Sequence, residues 1–256
     1  MTLRSARSLC CAVRTTCSRD VAQLSKLRNE QVENLRYAPV KIVVTAGPTR
    51  EPIDPVRFIS NRSSGKMGYA LAEAALEAGH DVTLISGPTA LTAPPSATFI
   101  PISTSDELYD AVHQHVRDCD VLVMCAAVSD YKPKTIATQK LKKHGGEFSL
   151  PLTPTRDILA SLPREDRAYL VVGFAAQTHD LAANAERKLL SKNCDMIIAN
   201  DVSRSDFGME SDDNEVTIFF RDAEPRMISR APKIIIAREI LKIVLDMHQK
   251  RLTKKT

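Results

Sequence analysis

Residues 41–87 read KIVVTAGPTREPIDPVRFISNRSSGKMGYALAEAALEAGHDVTLISG. KIVVTAG (41–47) is a short apolar run ending in Gly and Pro, the pattern of a buried strand entering a loop. Residues 66–79 then place Met67, Leu71, Ala74, Ala75 and Ala78 at helical spacing, and Gly79 stops the helix. DVTLISG (81–87) is the next buried strand. Outward from this unit the alternation repeats. ATFIPI (97–102) is a strand. Ser105 caps a helix running to about Asp118, with Leu108, Ala111, Val112, His115 and Val116 on one face. DVLVMCAA (120–127) and YLVVGFAA (169–176) are buried strands. A helix over 180–193, the strand DMIIAN (195–200) and an amphipathic helix over 233–249 follow.

Strand and helix alternating over short connections predict an α/β fold: a Rossmann-like, doubly wound, mostly parallel sheet covered on both faces. Two segments stand outside the alternation. KLKKHGGEFSLPL (140–152) turns around a Gly-Gly pair and reads as a hairpin arm. EVTIFF (215–220), with a second short run after Asp222-Ala223, reads as a terminal hairpin. One domain over 39–256 with an arm excursion is expected, preceded by an extension over 1–38.

Composition excludes several classes. No apolar run approaches the ~18 residues of a membrane span, so no integral membrane protein and no membrane partner are expected. Six cysteines without a CxxC pair suit neither a disulfide scaffold nor a structural zinc site. The net charge of +4 belongs to the ends. Residues 1–38 carry seven Lys/Arg against three Asp/Glu, and Lys250, Arg251, Lys254 and Lys255 crowd the last nine residues. The body between is mildly acidic and the chain has no tryptophan, which argues against a nucleic-acid partner. MTLRSARSLCCAVRTTCSR is rich in Arg and Ser and lacks acids, a composition shared by organellar transit peptides and by disordered extensions. The extension reading is adopted, with a cytoplasmic location. Cys119, Cys125 and Cys194 read as buried small hydrophobes rather than nucleophiles. No histidine has metal-ligand spacing.

In an open parallel sheet, ligands sit outside the carboxyl ends of the strands. The loop after the first strand, TAGPTREPIDPVRFISNRSSGKMG (45–68), is long, and long loops in compact domains carry function. Its glycines, Gly47, Gly65 and Gly68, do not follow GxGxxG. Ser63, Ser64, Gly65 and Lys66 lead straight into a helix, whose N-terminal N–H groups attract phosphate or carboxylate. A plain Ser64 cap is the competing reading. After the fourth strand, CAAVSDYKPKTIATQKLKK (125–143) puts small residues at a strand tip and Asp130 where a divalent cation beside phosphates would stand. Lys140 and Lys142 share a face if the arm is extended. GFAAQT (173–178) again has small residues at a tip, with Phe174 available to stack. Lys188 and Lys192 lie four apart on one helix face.

TAGPTREPIDPVRFISNRSSGKMG, CAAVSDY, KLKK, GFAAQT and IIANDVS, in this order, closely resemble phosphopantothenoylcysteine synthetases of the bacterial CTP-using type. The resemblance runs from about Lys41 to Leu245. It implies a ligase that joins 4′-phosphopantothenate to L-cysteine in coenzyme A synthesis. CTP, with Mg²⁺ or Mn²⁺, activates the carboxylate as an acyl-cytidylate, and the cysteine amine then displaces CMP. By resemblance, Lys140 matches a CTP-binding lysine and Asp130 the acidic position at the nucleotide and metal. Met124, Cys125 and Ala126 match the strand tip that contacts the nucleotide. Arg156, Asp157, Ile158 and Leu159 match a backbone segment lining the same site, and Phe174, Lys188 and Lys192 match further nucleotide contacts. Asn61 matches the asparagine near the reacting carbonyl, where a side-chain amide can donate to a developing oxyanion. Gly47 and the Ser63–Lys66 run complete the expected binding set, with Asn61 and Lys140 taken as the catalytic pair.

The chain departs from the commonest pattern at Arg62 for His, Ser129 for Ala, Arg156 for Pro and Gln177 for Glu. None removes a charge assigned to the reaction. The forty residues upstream are too short for a flavin domain, so no flavin is expected, and a flavin-dependent decarboxylase is expected on another chain. The resemblance implies a homodimer. Two alternatives stand beside this reading: a Rossmann-type NAD(P)-dependent oxidoreductase, which the missing GxGxxG disfavours, and a non-catalytic nucleotide-binding homologue that scaffolds the decarboxylase.

Overall fold

A computed structural model describes residues 38–143, 145–163, 165, 167–177, 180–201 and 211–255. In chain order the elements are β1 (Lys41–Ala46), β2 (Arg50–Pro52), β3 (Phe58–Ser60), α1 (Lys66–Glu77), β4 (Asp81–Ser86), β5 (Thr98–Pro101), α2 (Ser105–His115), β6 (Val121–Met124), β7 (Tyr131–Pro133), β8 (Leu152–Pro154), α3 (Ile158–Ser161), β9 (Leu170–Gln177), α4 (Leu181–Ser191), β10 (Met196–Asp201), β11 (Asp213–Phe220), β12 (Arg226–Pro232) and α5 (Lys233–Lys255). A 3₁₀ turn over Val116–Asp118 continues α2. The extension reading of residues 1–38 falls, but for Ala38, outside the described residues, as do Cys10, Cys11, Cys17, His144 and His179.

Eight strands form one sheet in the order β12-β11-β10-β9-β6-β1-β4-β5. The strands from β10 to β5 are parallel, with Ile42 opposite Val82 and Val121, and Val123 opposite Val172. β11 and β12 close one edge as the antiparallel hairpin expected from EVTIFF. The sheet is doubly wound, as the alternation implies. Side chains alternate between faces along a strand. Val43, Ile85, Leu122, Val171 and Ile197 bury one face beneath Leu108 and Val112 of α2 and Ala185 and Leu189 of α4. On the other side α1 packs against α5.

The chain runs from β1 to β4 and β5 on one side, then returns to β6 on the other. The topological switch point therefore lies between β1 and β6, where a crevice opens at the strands' carboxyl ends.

Two expectations are corrected, and the loop after β1 adds two findings. The 140–152 segment is not a hairpin across Gly145-Gly146. The arm's ladder is wider, pairing Tyr131–Pro133 with Leu152–Pro154 and ending where the Lys134 N–H donates to the Pro151 carbonyl. Both backbone groups of Leu141 are instead taken by side chains of Asp54 and Arg57, so Leu141 has no strand partner among the described residues and Lys140 and Lys142 are not on an extended strand. Thr104, not Ser105, caps α2, in a capping box with Glu107. The Ser105 N–H donates to buried Glu51. Gly65, not Ser64, is the N-cap of α1, in a left-handed conformation (φ 77°) that suits glycine. Finally, the long 47–65 loop contains its own short hairpin, β2–β3.

Candidate active site

The loops after β1 and β6 are zipped together by backbone and threonine hydroxyls. The Ala127 N–H donates to the Gly47 carbonyl (2.9 Å), and the Thr49 N–H donates to the Ala127 carbonyl (3.1 Å). Thr45, fully buried in β1, accepts from the N–H groups of Cys125 and Ala126, both at 3.1 Å. The Thr49 hydroxyl accepts from the Ser129 N–H at 3.0 Å. These bonds satisfy main-chain groups at the point where the two strands diverge. Ser129, one of the departures from the family pattern, lies 3.4 Å from the Thr49 hydroxyl, so its extra oxygen joins this network.

The Asn61 side-chain amide donates to the Ala127 carbonyl at 3.1 Å. Asn61 thus does bind loop backbone, and that bond fixes its amide plane at the crevice mouth. The residue stays exposed. The β2–β3 hairpin that leads into it is anchored at its base, where the Arg50 N–H meets the Ser103 carbonyl and the Glu51 carboxylate meets the first turn of α2.

Between these loops, the tips of β9 and β10 and the start of α5 lies a cleft of about 530 Å³. Asn61, Ser63, Gly65, Lys66, Cys125, Ala126, Asp130, Phe174 and Lys188, all expected from sequence, line it. The N-terminus of α1 opens into the cleft with a glycine, and so no side chain, at its cap. Gly68 lets that helix approach β1, since a Cβ there would stand 2.6 Å from the Ala46 Cβ. Phe174 lies beyond the last residue of β9 that pairs with β6, and its carbonyl accepts from the Lys188 ammonium at 2.6 Å. Burial pushes the Lys188 pKa below the usual lysine range.

Other expected residues are not among those lining this cleft. Gly47 stands in the left-handed region (φ 69°) behind it, and Met124 is buried in the core. Ile158 and Leu159 are core residues of α3. Asp157 caps α3 by accepting from the Ala160 N–H at 3.0 Å and pairs with Lys192. The Arg156 guanidinium donates to Asp106 and Asp110 and stacks 3.8 Å over Tyr109, so its side chain is committed to α2. Lys140 and Ser64 do not line the cleft; Lys140 is exposed on the arm.

Sequence reading missed Thr45, Thr49, Asn200, Asn214 and Lys233. Asn200 lies near the end of β10, and the strand-tip rule could have found it. Asn214 and Lys233 come from the antiparallel edge and the start of α5, where no local pattern signals a site. Lys233 is 5% exposed, donates to the Ser211 carbonyl at 2.5 Å, and has its pKa lowered by burial. Lys66 pairs with Asp212 at 2.6 Å. Cys119 and Cys194 are buried as expected, but Cys125 is only half-buried and lines the cleft; desolvation still pushes its thiol up to about 12, which does not suit a nucleophile. Among the described residues no group of three or more His, Cys, Asp and Glu could hold a metal ion, and no helix is long and apolar enough to cross a membrane.

The family model of the DNA/pantothenate metabolism flavoprotein C-terminal domain matches residues 37–247. The chain is 46% identical over 228 residues to the coenzyme A biosynthesis bifunctional protein CoaBC of Bacillus subtilis, covering 88% of this chain and 56% of that protein. It is 44% identical over 198 residues to the CoaBC of Escherichia coli K12, covering 75% of this chain and 48% of that protein. The chain thus spans about half the length of the curated relatives it matches. A crystal structure of the C-terminal domain of CoaBC superposes with a TM-score of 0.70 at 40% identity, covering 82% of this chain and 96% of that one. The DNA/pantothenate metabolism flavoprotein of Streptococcus pneumoniae superposes with a TM-score of 0.71 at 26% identity, over 82% of this chain and all of that one. A Cab2 variant in complex with phosphopantothenate-cysteine shares the fold at 18% identity.

Proposed function

The chain belongs to the family of the DNA/pantothenate metabolism flavoprotein C-terminal domain, and from that premise we propose that it is a phosphopantothenate–cysteine ligase using CTP. The observation that carries this reading is the cleft at the β1/β6 switch point. It brings together a glycine-capped helix N-terminus, Lys66, Lys188 and Lys233, one exposed carboxylate (Asp130) and a fixed side-chain amide (Asn61). The crystal structure of the CoaBC C-terminal domain, at 40% identity, supports carrying the activity to this half-length chain.

The chemistry proceeds in two displacements. A carboxylate oxygen of 4′-phosphopantothenate attacks the α-phosphorus of CTP, the bond to the β-phosphate breaks, and pyrophosphate leaves. The cysteine amine then attacks the acyl carbon, loses a proton and displaces CMP. Cations around the cleft offset the charge of the triphosphate. Asn61 carries two N–H donors, and with one held on Ala127 the other serves the oxyanion that forms on the acyl carbon. Lys140 joins the nucleotide from the arm. Asp130, the one carboxylate lining the cleft among the described residues, would hold Mg²⁺ or Mn²⁺ through its oxygens. When bound, the ion neutralises phosphate charge.

The reacting unit is residues 39–256, placed in the cytoplasm. The two hairpins beside the cleft support a homodimer. Val56, Phe58, Tyr131, Ile136, Phe148 and Leu152 expose large apolar side chains there, and β2 packs beside β7. Isotope transfer tests the mechanism. With ¹⁸O in the substrate carboxylate, one label is expected in the CMP product; unlabelled CMP accompanied by amide product would contradict the acyl-cytidylate.

A further inference from the structure

Asp54 is buried, and its carboxylate accepts from five donors. Four are local: the N–H groups of Val56 and Arg57, each at 2.8 Å, and two guanidinium nitrogens of Arg57 at 2.9 and 2.5 Å. These close the β2–β3 turn on themselves. The fifth is remote, the Leu141 N–H at 3.1 Å. One of the guanidinium nitrogens of Arg57 that bind Asp54 also donates to the Leu141 carbonyl at 2.8 Å. One ion pair thus grips both backbone groups of one residue 84 positions away, as a partner strand would. Four residues earlier, the Ala137 N–H donates to the Ile53 carbonyl at 3.0 Å. Lys140 lies between these two anchors.

A turn needs only the local bonds. The remote ones add nothing to it, but they tie the arm that carries Lys140 to the hairpin that leads into Asn61. The pairing with Arg57 holds the Asp54 carboxyl well below the usual carboxylate range, so the grip stays charged across physiological pH. We propose that Asp54 and Arg57 are a positioning pair that holds the 137–141 segment and thereby places Lys140 for nucleotide binding. This rests on the ligase reading above.

The test uses the full chain with Arg57→Ala and Arg57→Lys. Lysine keeps a cation beside Asp54, so this variant folds, but a single ammonium cannot span Asp54 and Leu141 as the guanidinium fork does. Digestion by a lysine-specific protease, read by mass spectrometry, should cut after Lys140, Lys142 and Lys143 at least about tenfold faster in both variants, through local opening of the arm. A double-mutant cycle on the CTP dissociation constant, measured by calorimetry, then separates positioning from folding. Losing Arg57 should weaken CTP about tenfold in the parent and less than about twofold in a Lys140→Ala background, because coupled residues are non-additive. Unchanged cleavage, equal losses in both backgrounds, or no CTP binding by the parent would overturn the proposal. CTP binding with an intact cycle but no amide product would overturn the ligase reading and leave the positioning pair standing.

Discussion

The candidate site has two unlike halves. One is built on the sheet: the tips of β1, β6, β9 and β10, with Asn61 bonded to Ala127 and Lys188 to the Phe174 carbonyl. Its side chains are set by main-chain partners that the parallel ladder itself fixes. The other half is the arm. Lys140 stands exposed, and the described residues beside it form no ladder; an ion pair in another loop holds them. The difference teaches where precision comes from. The sheet half needs no assembly step. The arm half is ordered by a few bonds from another loop.

The sharpest way to break this contrast is Asn61→Asp. The exchange replaces a donor with an anion at the oxyanion position, and loss of such a donor costs on the order of 10²–10³ in rate. Amide formation should fall by that much, while pyrophosphate release in the first turnover, without cysteine, should fall far less. Equal losses in both steps would remove Asn61 from the oxyanion role. Lys188→Ala comes next. A charged hydrogen-bonding group of this kind is worth ~1.5–3 kcal/mol, so CTP affinity measured by calorimetry should drop roughly 10–100-fold. Lys140→Ala, on the exposed arm, should cost about tenfold, while Lys142→Ala and Lys143→Ala should change affinity less than about twofold, as solvated surface charges do. An equal effect at all three arm lysines would mean that the arm acts as diffuse charge and not through a placed residue.

The smallest effect is a pH dependence. Burial lowers the pKa of Lys188 and Lys233. CTP binding should therefore weaken on the alkaline side before ordinary lysines titrate near about 10.4. The sign for stability is opposite. A lysine whose folded pKa is depressed disfavours the folded state while charged, so that penalty is relieved as pH rises through the folded value. Unliganded protein should gain stability over the window in which it loses CTP. The substitution Lys188→Arg keeps a permanent charge at this position and should flatten the alkaline limb of the binding curve. An unflattened limb would assign the titration to another group.

The same contrast explains what was legible in the sequence. The parallel core was readable because short apolar runs such as VLVM and LVVG, bounded by loop residues, alternate with segments of helical spacing. The strand-tip rule then led to residues 61–66, 125–130 and 174, most of which the fold does bring to one cleft. The arm was misread because KLKKHGGEFSLPL has hairpin chemistry locally. What decides its path is Asp54 and Arg57, more than eighty positions away, and no local pattern reports such a partner. Lys233 was missed for a related reason: it enters the cleft from an antiparallel edge, where the rule for parallel strands does not apply. Arg156, read for its backbone, has a side chain used in packing on α2.

The most direct test of the account is pyrophosphate release by the purified chain with Mg²⁺ and 4′-phosphopantothenate, using CTP or ATP, with and without cysteine. The account expects release with CTP, and amide product only when cysteine is added. Release driven by ATP alone would contradict the nucleotide assignment, and no release with either nucleotide from folded protein would contradict the ligase itself.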